Sequence, residues 1–292
     1  MTIHERRKVN EEQRGTPLAA RGTSSVSRST THDPRSTAAV IVAAGRGERM
    51  GARPSSARPA SGSNEENEPA VAPKQLRLLA GKPVISWSVE FFGELEEIGC
   101  LCIVTRPELR AAMERLEAVR RLAKPLYWAE GGARRQDSSR NGVMALPRDV
   151  DVVAVHDAAR PFPPREATRE AIRLARKYGA AIVAMPVSET VKRADEKGVI
   201  IETVDRARLW VAQTPQVFRR DWLMDGFDAA AQRGAGITDD AAALEAIGRP
   251  VRLVAGSHSN LKITTPEDFL RAELIAMGKG RPAAPSGGFS LT

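Results

Sequence analysis

Cysteine, histidine and aromatic residues are scarce in this chain of 292 residues. It has two cysteines and four histidines, and phenylalanine, tryptophan and tyrosine together make up 4% of it. We expect Cys100 and Cys102, on a predicted strand, to be buried small hydrophobic residues of a reducing cytoplasm. The histidines and cysteines show no pattern typical of a nucleophilic site. With so few aromatic residues, a core must be built from valine, isoleucine, leucine and alanine.

Long apolar runs are also missing. No run approaches the roughly 18 residues that a membrane-spanning helix needs, and the first residues lack the apolar segment of a secretory signal. Serine, threonine and arginine are frequent near the start, as in organelle transit peptides, but Glu5, Glu11, Glu12 and Asp33 argue against that interpretation. We therefore expect a cytoplasmic location and no membrane partner.

The net charge of +8 raises the question of a nucleic-acid partner. Residues 1–37 hold seven lysines and arginines against four acidic residues, so a part of the excess lies there. Elsewhere the charges are spread as pairs over predicted helices, without interleaved aromatic residues or a nucleic-acid motif. A solvated basic surface is the interpretation that the sequence favours, and we expect no nucleic-acid partner.

Strand-like and helical patterns alternate along most of the chain. The expected strands lie near 38–44, 99–104, 125–128, 150–156, 180–186 and 251–255, and the expected helices near 83–92, 107–118, 135–145, 164–177, 220–232, 239–247 and from 265 on. Strands that alternate with helices form βαβ units. The sequence therefore predicts an α/β fold of Rossmann-like type, with a mostly parallel sheet and helices on both faces.

Four segments depart from this alternation. Residues 1–37 have no hydrophobic period and are expected to be disordered, and residues 278–292 to be frayed. Residues 52–72 are rich in proline, serine, alanine, asparagine and glutamate, which is typical of a flexible insertion. Residues 187–212 alternate apolar and polar positions around a Lys-Gly turn, which predicts a β-arm that projects from the sheet. The remaining chain, 38–277, is expected to form one domain, which includes the insertion and the arm.

A glycine-rich loop follows the first strand directly. Gly45 and Gly47 allow backbone N–H groups to approach an anion, and Arg46 and Arg49 supply positive charge there. The loop is neither a Rossmann fingerprint, because Met50 replaces the third glycine, nor a P-loop, because no Gly-Lys-Ser/Thr follows. A phosphate-binding loop is favoured over a plain tight turn.

Three further motifs lie where ligands bind in α/β proteins. Lys74 follows the insertion and, with Arg49, would neutralise a triphosphate. The segment 131–139 is either a turn with a helix cap, or a backbone-lined pocket for a nucleobase edge. Asp157 ends the fourth strand, where carboxylates bind ribose or metal; Arg160 is a natural phosphate clamp. His156 points away from Asp157 and is expected to be structural.

Together these motifs resemble the 2-C-methyl-D-erythritol 4-phosphate cytidylyltransferases, enzymes of non-mevalonate isoprenoid synthesis. The resemblance runs from about residue 38 to 276 and keeps the motifs in family order. They are A-A-G-x-G-x-R-M, P-K-Q, G-G-x-x-R-x-D-S, V-H-D-A-A-R-P, D-R-x-x-L-W-x-x-Q-T-P-Q, I-T-D-D and N-L-K-I-T. Ribitol 5-phosphate cytidylyltransferases look similar, so the set is more specific for cytidylyl transfer than for the acceptor.

The resemblance implies a role for each matching residue. Nucleotide binding falls to Ala43, Ala44, Gly45, Gly47, Gly131, Gly132, Ser138, Asp157 and Ala158. Catalysis falls to Arg49, Lys74, Arg206 and Lys262. The acceptor, a small phosphorylated polyol, would contact Asp157, Arg160, Thr190, Arg206, Thr238, Asp239 and Lys262. The resemblance also implies CTP as the nucleotide, Mg²⁺ held mostly through its phosphates with Asp157 as the candidate protein ligand, and a homodimer in which the arm carries Thr190 and Arg206 to the partner's site.

Two alternatives stay open at this point. One is the ribitol 5-phosphate enzyme, and the other, of a different class, is a non-catalytic nucleotide-binding module. The joint presence of Arg49, Lys74, Asp157, Arg206 and Lys262 favours an enzyme, since a binding module would need only some of them. The insertion at 52–72 is longer than the usual family loop. Because few residues follow the last helix, we expect no second, cyclodiphosphate synthase domain.

Overall fold

Buried strands and the helices that cover them account for most of the described chain. The structure, a computed structural model, describes residues 36–45, 73–234 and 236–279. The expected tail before residue 36, the insertion at 52–72 and the last residues from 280 lie outside this range. The first strand begins at Ser36, two residues earlier than expected, because Thr37 is 1% exposed and its hydroxyl accepts a hydrogen bond from Arg176. The last helix extends two residues past the expected boundary at 277.

Eleven strands are present in the described residues. They are β1 (Ser36–Val42), β2 (Leu78–Leu79), β3 (Lys82–Pro83), β4 (Cys100–Thr105), β5 (Leu126–Glu130), β6 (Val150–Asp157), β7 (Ala180–Pro186), β8 (Val191–Ala194), β9 (Ile200–Val204), β10 (Trp210–Arg219) and β11 (Arg252–Ala255). Seven of them form one sheet in the order β11-β7-β10-β6-β1-β4-β5, while β2–β3 and β8–β9 are separate hairpins. All neighbours in the large sheet are parallel except β10, which is antiparallel to β6 and β7.

Eight helices are present in the same residues. They are α1 (Val84–Glu94), α2 (Pro107–Glu114), α3 (Glu117–Arg120), α4 (Arg135–Met144), α5 (Arg165–Tyr178), α6 (Arg220–Gln232), α7 (Asp240–Glu245) and α8 (Pro266–Lys279), with a short 3-10 helix at Lys74–Leu76. The helix expected near 107–118 is thus divided into α2 and α3. At the start of α8, Thr265 accepts from the Asp268 N–H and Asp268 accepts from the Thr265 N–H, so Thr265 caps the helix.

Hydrophobic residues pack on both faces of the sheet. Along β1 the side chains alternate: Ala39 and Ile41 join α1, α2 and α5 on one face, and Ala38 and Val40 join α4, α6 and α7 on the other. Both cysteines are buried with free thiols. A third cluster packs α8 against Leu79, Val84 and Phe162. The predicted α/β fold, with a mostly parallel sheet covered on both faces, is confirmed.

The strand β10 is the largest departure from the expected fold. The arm was expected to extend to residue 212 and no strand to follow it, but Trp210–Ala212 pair with β7 and the strand continues to Arg219 between β6 and β7. Its middle, Gln213-Thr214-Pro215-Gln216, is polar and contains proline, a pattern that argues against a central strand. Pro215 lies at the register shift between Ala212 and Gln216. The polar side chains bond to the loop at Ser257, to His156 of β6 and to Ala241 of α7, so the strand is tolerated here.

Gly142 lets α4 approach the sheet closely. A Cβ at this position would lie 2.4 Å from Val40 Cγ1 and 2.6 Å from Val104 Cγ2. We expect Gly142→Ala to lower the free energy of unfolding by about 1–3 kcal/mol through overpacking. Gly278, also helical, has nothing within 4 Å of such a Cβ; Gly278→Ala should therefore be neutral or stabilising. Equal midpoints of urea unfolding for the two variants would contradict this packing account.

Candidate functional site

A cleft of about 770 Å³ lies at the edge of the sheet where β1, β4, β5 and β6 end. Loops at the carboxyl ends of parallel strands are the usual ligand sites of α/β sheets. Most residues assigned to nucleotide binding or catalysis from the sequence line it, namely Ala43, Ala44, Gly45, Lys74, Gly131, Gly132, Ser138, Asp157, Ala158 and Lys262. Gly47 and Arg49 lie outside the described residues, so their assignment stays a prediction.

The wall after β1 is held by its neighbours. The Ala43 N–H donates to Val104 O at 2.7 Å. The buried Gln75 amide donates to Ala43 O, and also to Gly45 O at 3.1 Å. Because Gln75 adjoins Lys74 on the short 3-10 helix, the same contacts that order the start of the loop also place Lys74 beside it. Lys74 Nζ donates to Ile263 O at 2.6 Å.

Gly131 and Gly132 form the opposite wall through close backbone packing. A Cβ at Gly131 would lie 2.2 Å from Ala44 Cβ, and one at Gly132 would lie 2.4 Å from Asp137 Cβ. The Gly132 N–H donates to Ser138 Oγ at 3.0 Å. Asp137 accepts from the Arg134 N–H at the start of α4. The two interpretations of this segment are therefore compatible, since Asp137 caps the helix while the glycines and Ser138 line the cleft.

Asp157 is the carboxylate at the centre of the site. Its Oδ1 accepts from Arg135 Nε at 3.0 Å, and its Oδ2 lies 2.8 Å from Lys262 Nζ. Burial alone would raise the pKa of Asp157, but Arg135, Lys262 and Arg160 outweigh it and hold that pKa well below its usual range. The carboxylate is therefore ionised at any physiological pH.

Arg135 also contacts a second carboxylate that sequence reasoning missed. Its Nη1 donates to Asp240 Oδ2 at 2.8 Å, and Asp240 is completely buried at the first position of α7. Burial raises the pKa of Asp240, while the pKa of Arg135 is raised because its two carboxylate partners outweigh its own burial. Both residues stand inside motifs identified above, but nothing in a sequence indicates that positions 105 apart form an ion pair.

The described lining of the cleft is strongly cationic. It includes five lysines and arginines, namely Lys74, Arg106, Arg134, Arg135 and Lys262, and a single carboxylate, that of Asp157. Arg106, directly after β4, is a further lining residue that the motifs did not predict. A concave site with this balance of charge, and with glycine-rich walls, suits an anion that carries several charges.

The other expected acceptor residues do not line this cleft. Arg160 donates to the carbonyls of Asn260, at 2.7 Å, and Ala212, and so ties the end of β6 to two loops. Asp239 caps α7 by accepting from the Ala242 N–H, and also binds the Gln216 amide. Thr238 is exposed beside it.

Thr190 and Arg206 are exposed near the β8–β9 hairpin, and Arg206 donates to Ser188 O. Neither residue belongs to the lining of the cleft in its own chain.

His156 supports the site from below, as expected for a structural residue. It is fully buried, with Nε2 at 2.9 Å from Arg160 O and Nδ1 at 3.0 Å from Thr214 Oγ1. A carbonyl can only accept, so the proton is on Nε2 and the Thr214 hydroxyl donates to Nδ1. Thr214 Oγ1 in turn accepts from the Asp157 N–H at 3.1 Å. The imidazole thus fixes the backbone on which Asp157 and Arg160 stand.

Comparison with known proteins gives a consistent result. The family model for 2-C-methyl-D-erythritol 4-phosphate cytidylyltransferase matches residues 37–277. Enzymes of that name from Pelotomaculum thermopropionicum and Caldanaerobacter subterraneus are 38% and 40% identical; the alignments cover 86% and 81% of this chain, and 98% and 97% of theirs.

Solved structures agree with the sequence comparison. A crystal structure of 4-diphosphocytidyl-2C-methyl-D-erythritol synthase is 30% identical with a TM-score of 0.64, covering 83% of this chain and 98% of that one. The Thermus thermophilus 2-C-methyl-D-erythritol 4-phosphate cytidylyltransferase is 27% identical with a TM-score of 0.63, covering 83% and 99%. Within the part of this chain that the structure describes, no helix combines the length and apolarity needed to cross a membrane.

The environment of His156 predicts acid sensitivity. Burial lowers the pKa of His156 to about 4, from an ordinary value of 6.5. Between pH 6.5 and 4 the imidazole of His156 is protonated in the unfolded chain but stays neutral in the folded chain. The free energy of unfolding is therefore highest above pH 6.5 and decreases as the pH falls towards 4. We expect the titration of His156 alone to lower the free energy of unfolding by about 2 kcal/mol between about pH 7 and 5.

Urea unfolding at several pH values tests this expectation. His156→Gln should lower stability at about pH 7 but flatten its pH dependence between about 7 and 5. His258→Gln, a variant of an exposed histidine, should leave the wild-type pH dependence unchanged. A His156→Gln chain with the full wild-type slope would show that another group carries it.

Proposed function

Because the chain belongs to the 2-C-methyl-D-erythritol 4-phosphate cytidylyltransferase family, we propose that the cationic cleft at the carboxyl edge of its sheet is where that reaction takes place. The protein is a nucleotidyltransferase that converts CTP and 2-C-methyl-D-erythritol 4-phosphate to 4-diphosphocytidyl-2-C-methyl-D-erythritol and pyrophosphate, in isoprenoid precursor synthesis. Neither the ribitol 5-phosphate enzyme nor a non-catalytic module is favoured by the comparisons, since the relatives named above all carry the methylerythritol name.

The observation that carries the placement is the balance of five cationic side chains against one carboxylate in the described lining. In the reaction an oxygen of the acceptor phosphate forms a bond to the α-phosphorus of CTP, and the bond from that phosphorus to the bridging oxygen of pyrophosphate breaks. Such a transfer needs positioning and charge stabilisation rather than a protein nucleophile. Lys74 and Lys262 stand on one side of the cleft, since Lys74 bonds to the carbonyl next to Lys262. We assign the stabilisation of the developing charge to these two lysines, with Arg49 as a third group.

Nucleotide recognition is assigned to the two walls of the cleft. Ala43, Ala44 and Gly45 line the cleft together with Gly131 and Gly132, and Gly131 packs directly against Ala44. A narrow slot lined by backbone groups excludes purines by size and distinguishes cytosine from uracil by hydrogen bonds to its exocyclic amino group. We also assign Ser138, Ala158 and the loop at Gly47 to nucleotide binding. From these assignments we expect the enzyme to prefer CTP over other nucleotides.

The chemistry of the Asp157 carboxylate fits Mg²⁺. It is ionised, it offers hard oxygen ligands, and Mg²⁺ is usually held by one or two carboxylates together with substrate phosphates. The ion, when bound, would neutralise part of the triphosphate charge. Lys262 and Arg135 now occupy the two carboxylate oxygens, and they keep Asp157 in place for ribose, metal and acceptor.

The β8–β9 hairpin is proposed as the dimer contact of a cytoplasmic homodimer. Val199, Ile200 and Ile201 are about 60% exposed there, and the adjacent Val211 is 57% exposed. An isolated two-stranded hairpin is marginally stable in water, so a second copy is needed to cover these side chains. Thr190 and Arg206 would then reach the partner's cleft and hold the acceptor together with Lys262. Arg160, Thr238 and Asp239, which the resemblance places near the acceptor, would act there indirectly.

Pyrophosphate release tests the function directly. We expect rapid release with CTP and 2-C-methyl-D-erythritol 4-phosphate, and far slower release with UTP or ribitol 5-phosphate. Lys74→Ala should lower kcat by on the order of 10²–10³ with little change in the KM for the acceptor. Lys82→Ala, which removes a partly buried lysine that pairs with Glu90 and does not line the cleft, is the control and should keep wild-type kcat. Normal kcat in Lys74→Ala would remove Lys74 from the reaction.

Mixed dimers test the proposed role of the arm. Lys74→Ala and Arg206→Ala subunits should each be inactive alone. After subunit exchange, one cleft of each mixed dimer holds both wild-type residues, so activity should rise towards one quarter of the wild-type level in an equimolar mixture. No recovery, with exchange verified by mass spectrometry, would show that Arg206 serves its own chain.

A further inference from the structure

Four charged residues form a continuous chain that ends in the cleft. Asp240 Oδ2 lies 2.8 Å from Arg135 Nη1, Arg135 Nε lies 3.0 Å from Asp157 Oδ1, and Asp157 Oδ2 lies 2.8 Å from Lys262 Nζ. The Asp240 side chain at one end is 0% exposed, and the Lys262 side chain at the other end is 37% exposed. The reaction assigned to this site explains Asp157 and Lys262 but gives no role to the buried end.

Asp240 is a fixed anchor rather than a mobile counter-ion. It begins α7, where the preceding residue, Asp239, accepts from the Ala242 N–H. The Gln216 side chain, from β10 in the central sheet, donates to Asp239 and accepts from the Ala241 N–H. The start of α7 is thus bonded to the sheet on both sides of Asp240, and the position of its carboxylate is set independently of any ligand.

Arg135 divides its guanidinium between two carboxylates. Arginine prefers a bidentate contact, in which two N–H groups bind both oxygens of one carboxylate. Here Nη1 donates to Asp240, while Nε gives Asp157 a single hydrogen bond, and the second oxygen of Asp157 faces Lys262 and the cleft. Without Asp240 the guanidinium would be free to turn and take both oxygens of Asp157.

We propose that Asp240 is a positioning residue: by holding one side of Arg135, it keeps an oxygen of Asp157 available to Lys262, to the ribose and to a divalent cation bound with the nucleotide. It touches no substrate itself and acts through Arg135. The inference rests on the assignment of Asp157 to the nucleotide and metal, and it adds a residue buried behind the cleft to that site. It also gives a reason for a completely buried carboxylate, which is costly to keep in a folded protein.

The variant Asp240→Asn removes the charge and keeps the shape. Loss of a residue that orients a metal-binding group typically costs about 10–100-fold in affinity or activity. We expect the affinity for Mg²⁺·CTP, measured by calorimetry, to fall at least tenfold, with a matching rise in the Mg²⁺ concentration for half-maximal activity. The KM for 2-C-methyl-D-erythritol 4-phosphate should change little. Asp228→Asn, which breaks the exposed pair between Arg140 of α4 and Asp228 of α6, should leave these values unchanged.

The double variant Asp240→Asn/Arg135→Lys separates positioning from structural support. Lysine keeps a positive charge beside Asp157 but donates from a single nitrogen, so it cannot bind both carboxylate oxygens side by side as a guanidinium does. If Asp240 acts by restraining Arg135, the double variant should bind Mg²⁺·CTP at least threefold more tightly than Asp240→Asn. A double variant that binds no more tightly than Asp240→Asn would overturn the proposal. Where Asp240→Asn does not fold, a double variant that binds more than tenfold more weakly than wild type would also overturn it.

A change in melting temperature alone would also overturn it. If Asp240→Asn melts lower but keeps wild-type Mg²⁺·CTP affinity and metal dependence, the carboxylate is only structural. Failure of the wild-type chain to release pyrophosphate from CTP and 2-C-methyl-D-erythritol 4-phosphate would instead contradict the function on which the inference rests. The two failures are therefore distinguishable in the same set of assays.

Discussion

The charge of Asp157 is the constraint on which the rest of the site depends. An ionised carboxylate that is 10% exposed is costly unless cations and hydrogen-bond donors surround it. Arg135 and Lys262 meet this requirement at 3.0 and 2.8 Å, and they come from α4 and from the segment after β11. The ion pairs that neutralise Asp157 therefore fix the end of β6, the start of α4 and the segment after β11 relative to one another. The same contacts leave the cleft with an excess of positive charge for a triphosphate.

The central strand β10 provides the second level of this organisation. Thr214 bonds to both the backbone of Asp157 and His156, and Gln216 secures the start of α7, where Asp240 holds Arg135. Polar side chains in a buried strand next to β6 contribute little to hydrophobic packing, because buried strands usually consist of apolar residues. Here the hydrogen bonds of β10 fix the residues of the cleft relative to the sheet. The same polar side chains therefore belong to the fold and support the site.

Much of this organisation is visible in the sequence because it depends on local patterns. Apolar runs that alternate with helical patterns predict the parallel strands. Because Asp157 lies at the end of a predicted strand, the sequence also predicts the edge of the sheet at which Asp157, Lys74 and Gly131 come together. β10 could not be predicted, since its polar residues and Pro215 are tolerated only through tertiary contacts. For the same reason the pair Arg135–Asp240 and the capping role of Asp239 are apparent only in three dimensions. The role proposed for Thr190 and Arg206 depends on a second chain, and no pattern within one sequence reports such a contact.

The most direct test of this account is to neutralise Asp157 without changing its shape. Asp157→Asn and its control Asp151→Asn, an exposed position on the same strand, should be compared for Mg²⁺·CTP affinity and for pyrophosphate release. The account predicts that Asp157→Asn lowers turnover with CTP and 2-C-methyl-D-erythritol 4-phosphate by about a hundredfold or more, while Asp151→Asn matches wild type. Turnover and affinity within threefold of wild type in Asp157→Asn would contradict it.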